Sequence, residues 1–249
     1  MKTRRILALV LSALMILSSL PMMAFAAEGA GFNNFKAVKT YTDGQFEDVK
    51  NTDWFSENVK SVYVFGLMVG RSETEFAPNE NMTVAEAMTI AARLHSIYYT
   101  GKTEFAKSEP WYQVYTDYCK ANGIADPANY DLNKPITRGQ FADMFAHAFP
   151  ADALKKINTV QDNMIPDVKT TDKFGAAIYL LYRAGVLVGN DSKGTFESES
   201  LIRRMEVAAI TTRMADTSLR QSIRLVRPSS GGGSYTPPAP TTYTVTFDL

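Results

Sequence analysis

FEDV at residues 46–49, VYVFGLMVG at 62–70, Phe76 and MTVAE at 82–86 return as IPDV at 165–168, LLYRAGVLVG at 180–189, Phe196 and IRRME at 202–206. The register is tight. Asp48 and Asp167 lie 119 residues apart, as do Gly66 and Gly185, and Gly70 and Gly189. Phe76 and Phe196 lie 120 apart, as do Glu86 and Glu206. A more degraded copy sits between them. Trp111 precedes Gly123 by twelve residues, as Trp54 precedes Gly66, and Tyr130 precedes Thr137 by seven, as Phe76 precedes Thr83 and Phe196 precedes Arg203. Spacing held at so many markers is the mark of an internal repeat.

Each copy reads as helix, loop, helix. After Trp54, Phe55, Val59, Val62 and Tyr63 recur at helical spacing, and Gly66 stands where a helix C-terminus wants a left-handed residue. Phe76 and Pro78 are the loop's candidate core anchors. Thr83 and Glu86, three apart, open a second helix as a capping box, and Thr137 with Gln140 repeats it. The third copy has Arg203 at that place, so its cap must come from elsewhere. A two-helix unit cannot bury its apolar face alone, so the three should share one core. The expected class is mainly α: three helix-loop-helix repeats packed as a pseudo-trimer, with a disordered Pro/Gly tail.

Composition narrows the chemistry. The 249 residues hold 26 basic and 26 acidic side chains, which argues against a nucleic-acid surface. One Cys and two His exclude a disulfide framework and leave little for a metal. Cys119 aligns with Val62 and Leu181 and reads as an inert core thiol. Asp191 to Glu199 loosely resembles a calcium loop, but Lys193 and Thr195 occupy ligand positions. No nucleophile elbow or Ser-His-Asp order is visible. The expectation is no enzyme, no cofactor and no metal.

Arg138 and Arg204 share one position, just inside the second helix of their copies. A cation there opposes the helix macrodipole. Two readings are open: the stem covers apolar surface while the head reaches water, or guanidinium and helix-start N–H groups together hold an anion. Replacement by Ala is expected to leave folding nearly intact, or improve it slightly, because a cation leaves the positive end of a helix; lost folding would mark the arginines as structural.

These residues carry a resemblance. The pattern F-x-D-V, W, G-x-x-x-G, F-x-P, T-R-A-E is similar to the S-layer homology module. Copy one supplies Phe46, Asp48, Val49, Trp54, Gly66, Gly70, Phe76, Pro78, Thr83 and Glu86. Copy two supplies Trp111, Gly123, Ile136, Thr137 and Arg138, and copy three Asp167, Val168, Gly185, Gly189, Phe196, Ile202, Arg204 and Glu206. The resemblance implies non-covalent anchoring of an exported protein to a Gram-positive-type cell wall, through a pyruvylated secondary cell-wall polysaccharide bound between adjacent modules. A structural surface-assembly protein that contacts other surface-layer proteins is the alternative. The implied glycan-binding residues are Arg138, Arg204, Thr137, Trp54, Trp111, Gly70 and Gly189, with plain helix packing an equal reading for the two Trp. Val84 replaces the Arg of copy one, Gly139 and Gln140 replace Ala-Glu in copy two, and Lys173 replaces the Trp of copy three.

The ends read differently. Lys2, Arg4 and Arg5, an apolar run from Ile6 to Leu20, and Ala24-Phe25-Ala26 form a signal peptide over 1–26, implying secretion to the cell surface. No later run is apolar and long enough to span a membrane. The expected organisation is a leader at 27–45, repeats at 46–100, 101–160 and 161–227, and a Pro/Gly linker at 228–249 ending in the start of a truncated β-segment.

Overall fold

The computed structural model describes residues 29–225. The expected signal peptide, Pro/Gly linker and closing β-segment lie outside the described residues. Six α-helices form among the described residues: α1 (Ser56–Val64), α2 (Val84–Thr100), α3 (Gln113–Ala121), α4 (Arg138–Ala146), α5 (Gly175–Arg183) and α6 (Arg204–Ala215). Short 3-10 turns accompany them, and pairing between extended segments is limited to isolated bridges among the described residues. The chain is mainly helical, as its periodicity predicts.

Most of these helices have nine residues, too few to persist alone in water. Their stability comes from a common core. Tyr179, Tyr182, Phe46, Phe76, Phe141, Phe145 and Phe196 are its largest fully buried side chains. Val62, Cys119 and Leu181 are each completely buried, so the aligned face of the three first helices points inward. Burial pushes the Cys119 thiol up to about 12, and its Sγ faces the Met88 carbonyl at 3.3 Å. Gly66, Gly123 and Gly185 end the first helices with φ of 70°, 68° and 73°, the left-handed conformation glycine adopts without steric cost.

The helices pair across copies. α2 packs on α3, α4 on α5, and α6 returns to α1, so the second helix of each copy lies against the first helix of the next and the chain closes into a ring. At the centre, three equivalent backbone groups form a cycle. Met82 N–H donates to Ile202 O at 2.9 Å, Ile202 N–H to Ile136 O at 3.4 Å, and Ile136 N–H to Met82 O at 2.9 Å. All three side chains are buried. This cycle marks a pseudo-threefold axis.

The equivalence extends upstream of the F-x-D-V motif. Val38 and Lys39 both donate to Val64 O, and Ile157 and Asn158 both donate to Arg183 O, again 119 residues on. No helix among the described residues is long and apolar enough to cross a membrane.

Candidate functional site

The N-terminus of each second helix is where the copies meet. In α4, Arg138 and Gly139 N–H groups donate to Ser200 O and Ser198 O, both at 2.8 Å. In α6, Arg204 and Met205 donate to Glu80 O at 2.9 Å and Pro78 O at 3.0 Å. In α2, Val84 and Ala85 donate to Lys134 O and Leu132 O, both at 3.0 Å. The first two N–H groups of each helix are thus taken by backbone carbonyls of the neighbouring copy. They are not free to hold an anion, which corrects the expectation that helix-start amides contribute to such a site.

The third N–H group is capped within each helix. Glu86 N–H reaches Thr83 Oγ1 and Gln140 N–H reaches Thr137 Oγ1, both at 3.3 Å, while Glu86 and Gln140 accept from Thr83 N–H and Thr137 N–H. Thr137 is therefore a cap, and its backbone bridges to Leu201. In α6 the Arg203 side chain has no acceptor atom. Glu206 N–H turns to Arg203 O at 3.0 Å, and Glu206 Oε2 accepts Arg203 N–H at 2.9 Å.

The two arginines do not send their heads to water. Both are 5% exposed. Arg138 Nε donates to Phe196 O at 2.8 Å, its Nη1 to Glu206 Oε1 at 2.8 Å, and its guanidinium lies 5.1 Å from the Phe196 ring centre. Arg204 Nε donates to Phe76 O at 2.8 Å, its Nη2 to Val69 O at 2.7 Å, and its guanidinium lies 4.8 Å from the Phe76 ring centre. Each arginine is a bolt between two copies. Removing them would strand the buried Phe76 carbonyl and break the Arg138–Glu206 pair, so the structure argues for destabilisation where the sequence led us to expect an intact fold.

The opposite side of each bolted loop is held by the F-x-D-V aspartate. Asp48 accepts Phe76 N–H at 2.8 Å and Ala77 N–H at 2.6 Å, and Asp167 accepts Phe196 N–H and Glu197 N–H at the same two distances. Ala77 and Glu197 have φ of 57° and 61°, a left-handed conformation that costs a residue with a Cβ roughly 1–2 kcal/mol. The aspartates hold both residues in it.

Two clefts open over these junctions. The first, about 490 Å³, is lined by Trp54, Arg138, Gly189, Leu201, Glu206 and Arg213 among others. The second, about 220 Å³, is lined by Gly70, Arg71, Glu86, Arg93, Trp111 and Arg204 among others. Each brings together one sequence-selected Trp, one Arg and one Gly, so six of the seven candidate residues fall into two grooves of the same design. Trp54 is 63% and Trp111 53% exposed, each resting edge-on against the following aromatic ring. Plain helix packing therefore does not account for them. The glycines serve the loops. A Cβ on Gly70 would strike the Glu75 carbonyl and the Phe46 ring at 2.6 Å, and Gly189 has φ 88° with Gly194 backbone 2.6 Å from its Cβ position.

Other groove residues escaped the sequence reading. Arg93 and Arg213, 120 apart, donate to Leu67 O at 3.3 Å and Val186 O at 3.2 Å, and burial pulls Arg213 down to about 10. Their shared register is the signal that could have revealed them. Arg71 bonds both Glu80 and Glu86. Burial alone would raise the Glu86 carboxyl, but Arg71 and the Thr83 N–H hold it below the usual carboxylate range. At the third junction Val84 stands in place of Arg, and Lys173 lies over the Phe174 ring where the others carry Trp.

Comparison with known proteins agrees with this geometry. The S-layer homology domain matches residues 45–88 and 165–208, the first and third copies. The chain is 26% identical over 206 residues to the surface-layer 125 kDa protein of Lysinibacillus sphaericus, covering 78% of this chain and 16% of that protein. It is 23% identical over 168 residues to an S-layer protein of Bacillus thuringiensis subsp. finitimus, covering 66% of this chain and 20% of that one. A 23% match to the amylopullulanase of Thermoanaerobacterium thermosulfurigenes covers 71% of this chain and 10% of that protein. Two stretches of the chain thus match the S-layer homology domain, and the chain spans a fifth or less of the length of these curated relatives.

Proposed function

We propose that this chain holds an exported protein to a bacterial cell wall without a covalent bond, by binding an acidic, pyruvylated secondary wall polysaccharide. The observation that carries this reading is the repeated groove: an exposed Trp at the rim, a buried Arg on the wall and a carboxylate beside it, built twice on one plan. An exposed indole offers a flat apolar face to a sugar ring, and a guanidinium matches a carboxylate or ketal oxygen pair. The middle copy acts as a third, degenerate S-layer homology module that completes the ring. Cleavage after Ala26 delivers the chain to the surface. No catalytic role is assigned, and the amylopullulanase match is read as a shared anchoring region.

Surface assembly is the second reading, favoured by the likeness to surface-layer proteins. On it, the grooves take a loop of a neighbouring protein. Sedimentation with purified wall sacculi, before and after extraction of the secondary polymer, separates the two. The anchoring reading expects binding that is lost on extraction. Binding that survives extraction, or none at all, overturns it.

A further inference from the structure

A further cleft, about 350 Å³, adjoins the Trp111 groove and is lined by Lys39, Arg93, Thr103, Glu104 and Tyr115 among others. Arg93 and Tyr115 line the Trp111 groove as well, so the two clefts meet at this pair of side chains. Arg93 Nη2 donates to the Tyr115 hydroxyl at 3.1 Å, and its guanidinium lies 5.3 Å from the Tyr115 ring centre. The bond from Arg93 Nη1 to Leu67 O, at 3.3 Å, is long, and Arg93 Nε is buried with no acceptor among the described residues. The pair is the threshold between the clefts. Apart from Gly66, the lining lies outside the repeated stretch that runs from Phe46 to Glu86.

The third copy closes the same ground. Ile157, Asn158 and Gly185 are the counterparts of Val38, Lys39 and Gly66, 119 residues on. Asn158 Nδ2 donates to Gln221 O and its Oδ1 accepts Ile223 N–H, both at 2.9 Å, while Gln221 N–H donates to Gly185 O at 2.8 Å. A chain segment is thereby sewn across the glycine. Lys39 cannot repeat the stitch, because an ammonium has no acceptor, and its Nζ lies 5.0 Å from the Tyr63 ring centre instead. Tyr115, four residues after Trp111, has Asn58 as its counterpart after Trp54. Cleft and threshold together therefore belong to the Trp111 side.

The lining offers donors and acceptors of both kinds. Lys39 donates, Glu104 accepts, the Thr103 and Tyr115 hydroxyls do either, and Val38 and Phe105 add apolar contact. That mixture suits a ring bearing several hydroxyls better than an ion of one sign. The Trp111 cleft alone, about 220 Å³, falls below the roughly 300–1,000 Å³ of ordinary ligand sites, and its neighbour supplies the missing room. Resting on the wall-polymer reading above, we infer that the Lys39–Glu104 cleft is a further subsite, seating an uncharged sugar next along the polymer from the one on Trp111.

The test uses the full chain and fragments of purified wall polymer from partial hydrolysis, separated by size from one sugar upwards. Trp54→Ala leaves the Trp111 groove as the main site, and Trp111→Ala leaves the other. In Trp54→Ala, affinity should step up about tenfold at the length that reaches the new subsite, the scale of one or two hydrogen bonds. Adding Lys39→Ala and Glu104→Ala should erase that step and leave shorter fragments bound as before. Both side chains are exposed, so folding should survive, and thermal unfolding checks it. In Trp111→Ala the same two changes should alter binding at no length. A step that persists without Lys39 and Glu104, or a loss equal at every length, overturns the subsite. If no fragment binds the unaltered chain, the wall-polymer reading fails and the subsite with it.

Discussion

Arg204 Nε and the carbonyl of Phe76, 128 residues apart in sequence, are joined by a 2.8 Å hydrogen bond. The same carbonyl's peptide neighbour, Phe76 N–H, is held by Asp48 at 2.8 Å. One loop of the first copy is thus fastened from inside by its own aspartate and from outside by the last helix of the third. The Arg138, Phe196 and Asp167 set repeats the arrangement between the second and third copies. The copies are locked at two of three junctions by a polar bolt as well as by apolar contact.

Arg204→Ala should therefore destabilise the fold. It removes two hydrogen bonds donated by a charged group, strands the buried Phe76 carbonyl and leaves the part-exposed Val69 carbonyl to water, which costs about 2–4 kcal/mol. In a chain of this size that lowers Tm by roughly 5–15 °C. Arg204→Lys should lose most of the same stability, because a point charge cannot serve two divergent carbonyls. Calorimetry of both variants checks this; a Tm within a degree or two of the parent would show that the bolt carries no strain-bearing role.

Ala77→Gly and Glu197→Gly should stabilise. Both residues sit at positive φ without being glycine. Glycine removes a penalty of roughly 1–2 kcal/mol but adds unfolded-chain entropy, leaving a net gain of up to about 1 kcal/mol. Asp48→Ala should act the opposite way, freeing two loop N–H groups and costing about 1–3 kcal/mol. Denaturant midpoints for the three variants, at unchanged slope, give the comparison.

The parts of this architecture legible in the sequence were those with a local period. Val59, Val62 and their counterparts announced the helices, Gly66, Gly123 and Gly185 their ends, and Thr83 with Glu86 a cap. The gathering of Trp, Arg and Gly into grooves was implied by the family resemblance and had no signal in local periodicity. The partner of each helix was not. Amphipathicity says which face is buried and not against what, so the packing of α2 on α3 instead of α1 had no local signature. The arginine heads were misread for the same reason. Helix position gave Arg138 a dipole penalty, while its actual acceptors lie 58 and 68 residues away. Arg71 drew no notice because it departs from the repeat, aligning with Asn190.

Val84→Arg should not create a third bolt. Val84 is buried, Tyr130 stands where the other junctions place Phe76 and Phe196, and Lys173 replaces the rim Trp. A guanidinium forced into this junction displaces the buried Val84 packing, and overpacking costs roughly 1–3 kcal/mol. The variant should melt earlier and bind wall polymer no better than the parent. A gain in binding at unchanged Tm would show that the junction accommodates and uses the guanidinium.

The pH dependence of stability should show two separate windows. His95 lies against the Tyr99 and Tyr118 rings, with Nδ1 2.9 Å from the Tyr118 hydroxyl. Burial lowers its pKa from 6.5 to about 4. Between those values the unfolded chain binds a proton at this residue and the folded chain does not, so stability falls as pH drops from about 6.5 towards 4. Glu86 has the opposite chemistry and a lower window. Its folded pKa lies below 4.5, so the stability it contributes is present above 4.5 and is lost as pH falls through the folded value. Tm measured from pH 7.5 to 3.5 should therefore begin to decline near pH 6.5 and steepen below about 4.5. His95→Gln keeps a side chain able to bond Tyr118 and removes the titration. It should flatten the upper part of the decline and leave the lower part, where Glu86 protonates, in place. An identical upper slope in the variant would assign that window to another group.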